Sequence, residues 1–420
     1  GDQLPGGPTT SIAENTTATS TTAITADGTG RRRQPGLRWP TPPRPRGAAE
    51  RRARRLGETG GAQRAEAVVV QADAGGDDED GFPVELAERV GFSYAFSMAK
   101  WRGFGGDVEF WKYSLESMIL MSGLAHAAPT LQMVASIAPI MMHPAVFAKM
   151  AATMDDVAGG RMGFNVVSAG NKGEVTQTGL YFEGFEEARY RYFEEWVSVV
   201  KRLWSEDYVT HKGEFFNLEE CQSWPKPIQK EPPIVAATSS EQGFDFVAKN
   251  GNAVLFGGLT LPEQIKMSKR AKEVAAQHNR TDVRTHTLVN LIQGDSDKDA
   301  ERIMMHYEAG ADTVAIENIY RLRSRGKTSK DGRQNYYRDR AEGRDTRLFY
   351  AGVPFVGGPE SVADMIEELA VDGDLDGFLF IFPDFIDGIT RFSEQVMPLL
   401  HLRGLRRLTP PFGPPLAARA

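Results

Sequence analysis

The sequence predicts an α/β fold, a TIM-type (β/α)8 barrel, on three observations. From residue 82 onward, short apolar runs alternate with segments whose apolar residues recur at helical spacing. The runs are apolar almost throughout, as parallel strands covered on both faces are. Small and polar residues collect where the runs end, which is where such a barrel carries its site.

The elements follow in order. Residues 82–92, FPVELAERVGF, are expected as a short helix and 93–98, SYAFSM, as a strand. A helix at 115–128 leads to a strand at 131–138. Residues 143–160, HPAVFAKMAATMDDVAGG, carry apolar side chains at helical spacing and stop at two glycines, a usual C-terminal signal. The strand RMGFNVVS follows at 161–168. Further helices are expected at 190–204, 241–251, 261–279, 297–309 and 359–373, with strands at 232–239, 253–258, 284–294 and 377–382. Residues of about 171–231 and 318–351 are expected as insertions. Seven strands are visible after residue 92, one short of a closed barrel.

Residues 1–81 have another character. A Ser/Thr/Ala-rich run passes into a stretch with ten arginines between residues 31 and 55, then into GGDDED. No lysine precedes Lys100 and no phenylalanine precedes Phe82. Such a composition buries too little apolar surface to offset chain entropy, so a disordered leader is expected, with AEAVVVQA at 65–72 as its one strand candidate. A transit peptide and a binding segment for nucleic acid or anionic lipid are alternatives. The barrel is expected over 82–402, with a tail at 403–420.

The composition excludes several classes of function. A net charge of −7 disfavours nucleic acid as a partner, and no apolar stretch is long enough for a membrane helix. A cytoplasmic protein is expected. Cys221 is the only cysteine, so neither disulfides nor thiolate metal clusters are available within the chain, and the scattered histidines lack metal-ligand spacing.

The strand ends carry 98–101 (MAKW), Ser136, 165–171, Ser239 and Ser240, 257–258 and 383–384. This set is poor in carboxylate pairs and histidine, so it suits a site that holds a large planar cofactor and leaves the chemistry to it. No GxGxxG follows a strand. Phosphate donors are sought instead at Arg189, Tyr190, Ser239 and Ser240, the serines standing just before a helix N-terminus. Each has an ordinary alternative, a solvated charge, a core ring or a simple N-cap. Asn165, an amide in a buried strand, must find partners, either in a ligand or in the protein. Lys100 and Glu174 read equally as rim charges.

Taken together, HPAVFAKMAATMDDVAGGRMGFNVVSAG (143–170) resembles the signature of bacterial-luciferase-like flavin monooxygenases, which are TIM barrels. FSMAKWRGFGGDVEFWKYSLES (96–117), NKGEVTQTGLY (171–181), ARYRYFEEWVSVVKRLW (188–204), GEFFNLEECQSWPKP (213–227) and DGFLFIFPDFIDGITRFSEQVMPLL (376–400) resemble the pyrimidine (uracil) monooxygenase branch. The matches cover roughly residues 82–401.

The resemblance implies that Ala99, Lys100, Asn165 and Glu174 line the flavin and that Arg189, Tyr190 and Ser240 hold the FMN phosphate. It implies that Ser136 and Asn165 frame the pocket where oxygen reacts. Ser136 stands where the family has a threonine, keeping the hydroxyl and losing a methyl group. Reduced FMN would come from a separate NADH- or NADPH-dependent flavin reductase, and O2 would be used to oxygenate a small heterocycle, with uracil or thymine opened between N3 and C4. No metal is implied, and because members of the family commonly associate, a homo-oligomer is a state the resemblance allows. The segment SAGNKGEV departs from the uracil branch, so an organosulfur or halogenated aromatic substrate is the alternative.

In that family the barrel opens with an apolar strand, which by spacing should fall near residues 52–58, where this chain reads RARRLGE. The first strand is therefore expected to be missing or replaced, with AVVVQA as the only substitute. An out-of-frame or misassigned start is one account of the leader. A non-catalytic flavin-binding or decayed barrel is the competing class, and failure to bind reduced FMN would single it out.

Overall fold

The computed structural model describes residues 83–167, 172–257, 259–319 and 353–405 in full, and residues 65–69 and 320–324 by their backbone. The rest of the leader, residues 168–171 (SAGN), Gly258, the greater part of the second insertion and the tail from 406 lie outside the described residues.

Eight described strands close a parallel ring. In order around it stand β1 (Ala65–Val69), β2 (Tyr94–Phe96), β3 (Gln132–Ile137), β4 (Met162–Val166), β7 (Ile234–Ala237), β8 (Ala253–Gly257), β9 (Arg284–Gln293) and β11 (Gly377–Ile381), which pairs back onto β1. Seven of these are the seven strands expected after residue 92. The eighth fills the expected gap: Ala67 and Val68 pair with Leu379 and Phe380 on one side and with Tyr94 and Ala95 on the other. The ring therefore has no open edge at this point, and its first strand lies downstream of the 52–58 position given by spacing.

Alternation along each strand makes two cores. Tyr94, Phe96, Val134, Val235, Ala253, Leu255, Leu379 and Ile381 fill the barrel, while Ala95, Met133, Phe164, Val254, Phe256 and Phe380 face the helices. Within the barrel the Tyr94 hydroxyl lies 2.9 Å from His286 Nδ1. Burial pushes the tyrosine up and the imidazole down to about 3, so both groups are neutral.

The helix Pro144–Val157 stops where expected. Gly159 and Gly160 take φ of 63° and 83°, the left-handed region that glycine enters without strain. Arg161 then bonds to the carbonyls of Ala125 and Ala128, at 2.8 and 2.9 Å, and to that of Leu131. A cation thus sits at the C-terminal end of the helix Ser117–Ala127, opposite the dipole's negative pole. The GGR of this segment is a structural device that aims β4.

Four features depart from the expected pattern. The first insertion contains an antiparallel hairpin, β5 (Val209–Lys212) with β6 (Asn217–Cys221). Glu195 holds its turn by accepting from the backbone N–H groups of Glu214, Phe215 and Phe216, the last at 2.8 Å. A short β10 (Phe355–Gly357) pairs on β9 outside the ring. The helix expected at 190–204 begins earlier, as Phe185–Ser205, and a further helix spans Thr313–Ser324.

Candidate functional site

The residues singled out in the sequence gather into three clusters. They follow the C-terminal ends of β2, β3, β4 and β7, four consecutive strands of the ring, so they occupy one arc of the barrel mouth.

The first cluster is a chain of hydroxyls and one amide. Ser136 and Asn165 are register partners on β3 and β4, and Asn165 Nδ2 donates to Ser136 Oγ over 2.9 Å. Ser136 Oγ donates to the carbonyl of Ser97 at 2.6 Å, and Ser136 N–H donates to Ser117 Oγ at 2.7 Å. The Ser97 and Ser117 hydroxyls are 2.5 Å apart. The amide group of Asn165 is fixed by this chain, yet its Oδ1 is buried with no hydrogen-bond partner. Leaving such an acceptor unsatisfied costs about 1–3 kcal/mol, which a bound N–H donor would return. A partner in the protein thus accounts for the Nδ2 end of the carboxamide, and the Oδ1 end remains open to a ligand.

The second cluster is an ion pair. Lys100, in the loop after β2, pairs with Glu174 on the short helix Lys172–Thr176, and both side chains are about nine-tenths buried. The ammonium also lies 4.1 Å from the centre of the Phe104 ring and 5.9 Å from that of Trp111. Two further contacts fix the loop. Gln177 Nε2 donates to the Trp101 carbonyl at 2.8 Å, and Asp312 accepts from Val108 N–H at 3.0 Å. Ala99, half-buried beside Lys100, offers only backbone and a methyl group to a ligand. The rim-charge reading of Lys100 and Glu174 is overturned by their burial.

The third cluster lies at the N-terminus of the helix Glu241–Asn250. Ser240 is its N-cap, accepting from Gly243 N–H at 3.1 Å, and its hydroxyl lies 2.9 Å from that of Tyr190. Gly243 has no room for a Cβ because the Thr238 side chain packs against it. The guanidinium of Arg189 lies 5.2 Å from the centre of the Tyr190 ring. Its one acceptor among the bonded side chains, Glu186, is at 3.5 Å, and its Nε is buried with no hydrogen-bond partner. Glu241, the one acid in the first turn, is bonded to Arg270, which holds its carboxyl below the usual range and offsets its charge. Hydroxyls, a helix N-terminus and an under-used guanidinium are groups that suit a phosphate dianion.

An orphaned donor at Arg189 and an orphaned acceptor at Asn165 fit a flavin mononucleotide, with its anionic tail and polar ring edge. Among the described residues no group of three or more His, Cys, Asp or Glu could hold a metal ion, and no helix is long and apolar enough to cross a membrane. Sequence reasoning missed Ser97, Ser117 and Phe104, which support the singled-out residues. It also missed Asn290, a buried amide inside the apolar run of β9. The signal for Asn290 was the same as for Asn165, an amide interrupting a buried strand.

Comparison with known proteins agrees with this arrangement. Residues 83–375 match the luciferase-like monooxygenase family. The chain is 35% identical over 324 residues to the pyrimidine monooxygenase RutA of Acinetobacter baylyi, covering 76% of this chain and 86% of that one. With RutA of Escherichia coli it shares 34% over 323 residues, 76% and 88% of the two chains. Among solved structures, DmoA from Hyphomicrobium sulfonivorans and the EDTA monooxygenase EmoA from Chelativorans sp. BNC1 share the fold, each with a TM-score of 0.70 and 18% identity. They cover 82% and 83% of this chain and 89% and 96% of their own. The closed parallel barrel, the site on its mouth and these relatives lead to one conclusion: the chain belongs to the luciferase-like family of flavin-dependent monooxygenases and is closely related to the RutA-type pyrimidine monooxygenases.

Proposed function

We propose that this protein is the oxygenating component of a two-component system that uses reduced FMN and O2 to open the ring of uracil or thymine. A separate NAD(P)H-dependent flavin reductase would supply the reduced FMN, in the cytoplasm. The observation that carries the reading is the Ser136–Asn165 pair, whose free Oδ1 stands on the same arc of the mouth as the Lys100–Glu174 pair and the Arg189, Tyr190 and Ser240 cluster. Bound reduced FMN would supply the two electrons that activate O2 for attack at C4 of the heterocycle, the N3–C4 bond breaking as a C4–O bond forms and N3 taking up a proton.

The protein's own part is binding and orientation. Arg189, Tyr190 and Ser240 hold the phosphate, and Lys100 and Glu174 set the charge beside the ring system. Asn165 Oδ1 accepts from an N–H at the reacting edge, while the Ser136 hydroxyl keeps that amide from turning. The apolar barrel interior below excludes water from the reacting atoms.

The test is a coupled assay with FMN, a flavin reductase, NADH and uracil, following uracil loss by its ultraviolet absorbance together with O2 uptake. O2-dependent uracil loss that requires both flavin and reductase is the expected result. A protein that binds reduced FMN but consumes neither uracil nor thymine would overturn the substrate, and one that fails to bind FMN would overturn the whole reading.

A further inference from the structure

We propose that Asn290 is a second ligand-recognition amide of the barrel mouth, presenting its carboxamide to an imide edge, an N–H flanked by carbonyl oxygens. Asn290 is 1% exposed, and neither its Oδ1 nor its Nδ2 has a hydrogen-bond partner. A buried amide with both ends unsatisfied is strongly unfavourable in a strand that is otherwise Thr, Leu, Val and Ile around it, so a bound partner is the natural compensation.

Its direction follows from register. Leu288 packs on the cluster that fills the barrel, and Asn290, two residues on, shares its face. The Cα partner of Asn290 is Ile381, itself in that cluster, at the C-terminal end of β11. Around the ring β9 stands four places from β3, so Asn290 faces the barrel from the side opposite Ser136. With Asn165 Oδ1, also unsatisfied and carried on β4, the mouth presents one free donor and two free acceptors from two amides.

A carboxamide offers one donor and one acceptor side by side, which pair with the adjacent N–H and C=O of an imide. Two molecules of the proposed reaction carry that edge: the pyrimidine substrate and the pyrimidine ring of the flavin itself. The inference rests on the pyrimidine reading for the first of these and is independent of it for the second.

The variant N290L, close in shape and without polar atoms, tests it in three measurements: the melting temperature of the flavin-free protein, the Kd for oxidised FMN by fluorescence quenching, and the KM for uracil in the coupled assay. The expected result is an unchanged or higher melting temperature, because an unsatisfied amide has been removed, with a loss of fivefold or more in one of the other two. A loss in FMN affinity assigns the flavin edge, and a rise confined to the uracil KM assigns the substrate edge. Should leucine prevent folding, N290A gives the two binding arms. Smaller changes in both arms overturn the proposal. If the wild-type protein does not convert uracil, the pyrimidine reading falls and the FMN arm alone decides the role of Asn290.

Discussion

Asn165 Nδ2 reaches Ser136 Oγ at 2.9 Å across neighbouring strands, and that hydroxyl in turn donates to the Ser97 carbonyl. The two side chains therefore act as one unit, the serine setting which end of the amide faces a ligand. Replacing either with alanine removes the same orientation. Uracil turnover by S136A, N165A and the double variant should be non-additive, with a coupling energy of about 0.5–3 kcal/mol. Additive losses would separate the two roles.

Lys100 and Glu174 are buried together, so removing one leaves the other as an uncompensated charge. K100M should lower stability by about 3–5 kcal/mol in chemical denaturation, and K100M/E174Q should recover much of that loss. FMN affinity is expected to stay low in both variants, because the ammonium proposed to stand beside the flavin is gone in each. Recovery of affinity along with stability would reduce the pair to a structural role.

The cluster of Arg189, Tyr190 and Ser240 is assigned to phosphate, and riboflavin lacks that group. R189M should weaken FMN by the worth of a charged hydrogen bond, about 1.5–3 kcal/mol or some ten- to a hundredfold in Kd. Riboflavin binding should be unchanged. Equal losses for the two flavins would place Arg189 against the ring rather than the phosphate.

Most of the barrel was legible because its strands are short apolar runs between helices with clear stops, as at Gly159 and Gly160. The hairpin of β5 and β6 was not, since VTHK and NLEEC are largely exposed and polar and their turn is held by Glu195 on the preceding helix. The first strand was legible only as a candidate. AEAVVVQA is the one apolar run of a low-complexity leader, and its closure between β11 and β2 is what puts Ala65–Val69 in the place of the strand expected near 52–58. At the site, the resemblance associated Ser136 with Asn165, and the two side chains are hydrogen-bonded to each other. The burial of Lys100 with Glu174 was invisible, because a loop lysine and a loop glutamate look solvated until the chain between them folds back.

His286 gives the stability a pH dependence of predictable sign. Burial first, then the positive charges of Arg284 and Lys272, depress its folded value to about 3, against about 6.5 in an unfolded chain. Between those limits the unfolded state binds one more proton than the folded state, so stability from this group rises with pH. Its contribution is complete above about pH 7 and is progressively lost as pH falls below 6.5. Carboxylates add their own acid dependence lower down, so the window from pH 5 to 6.5 isolates the imidazole best. H286Q retains an acceptor for the Tyr94 hydroxyl while removing the titration. Denaturation midpoints measured across that window should fall with acid more steeply in the wild-type protein than in H286Q, by up to one proton's worth of slope. Parallel slopes would mean that His286 titrates in the folded barrel as it does in the unfolded chain, and would overturn its burial in the neutral form.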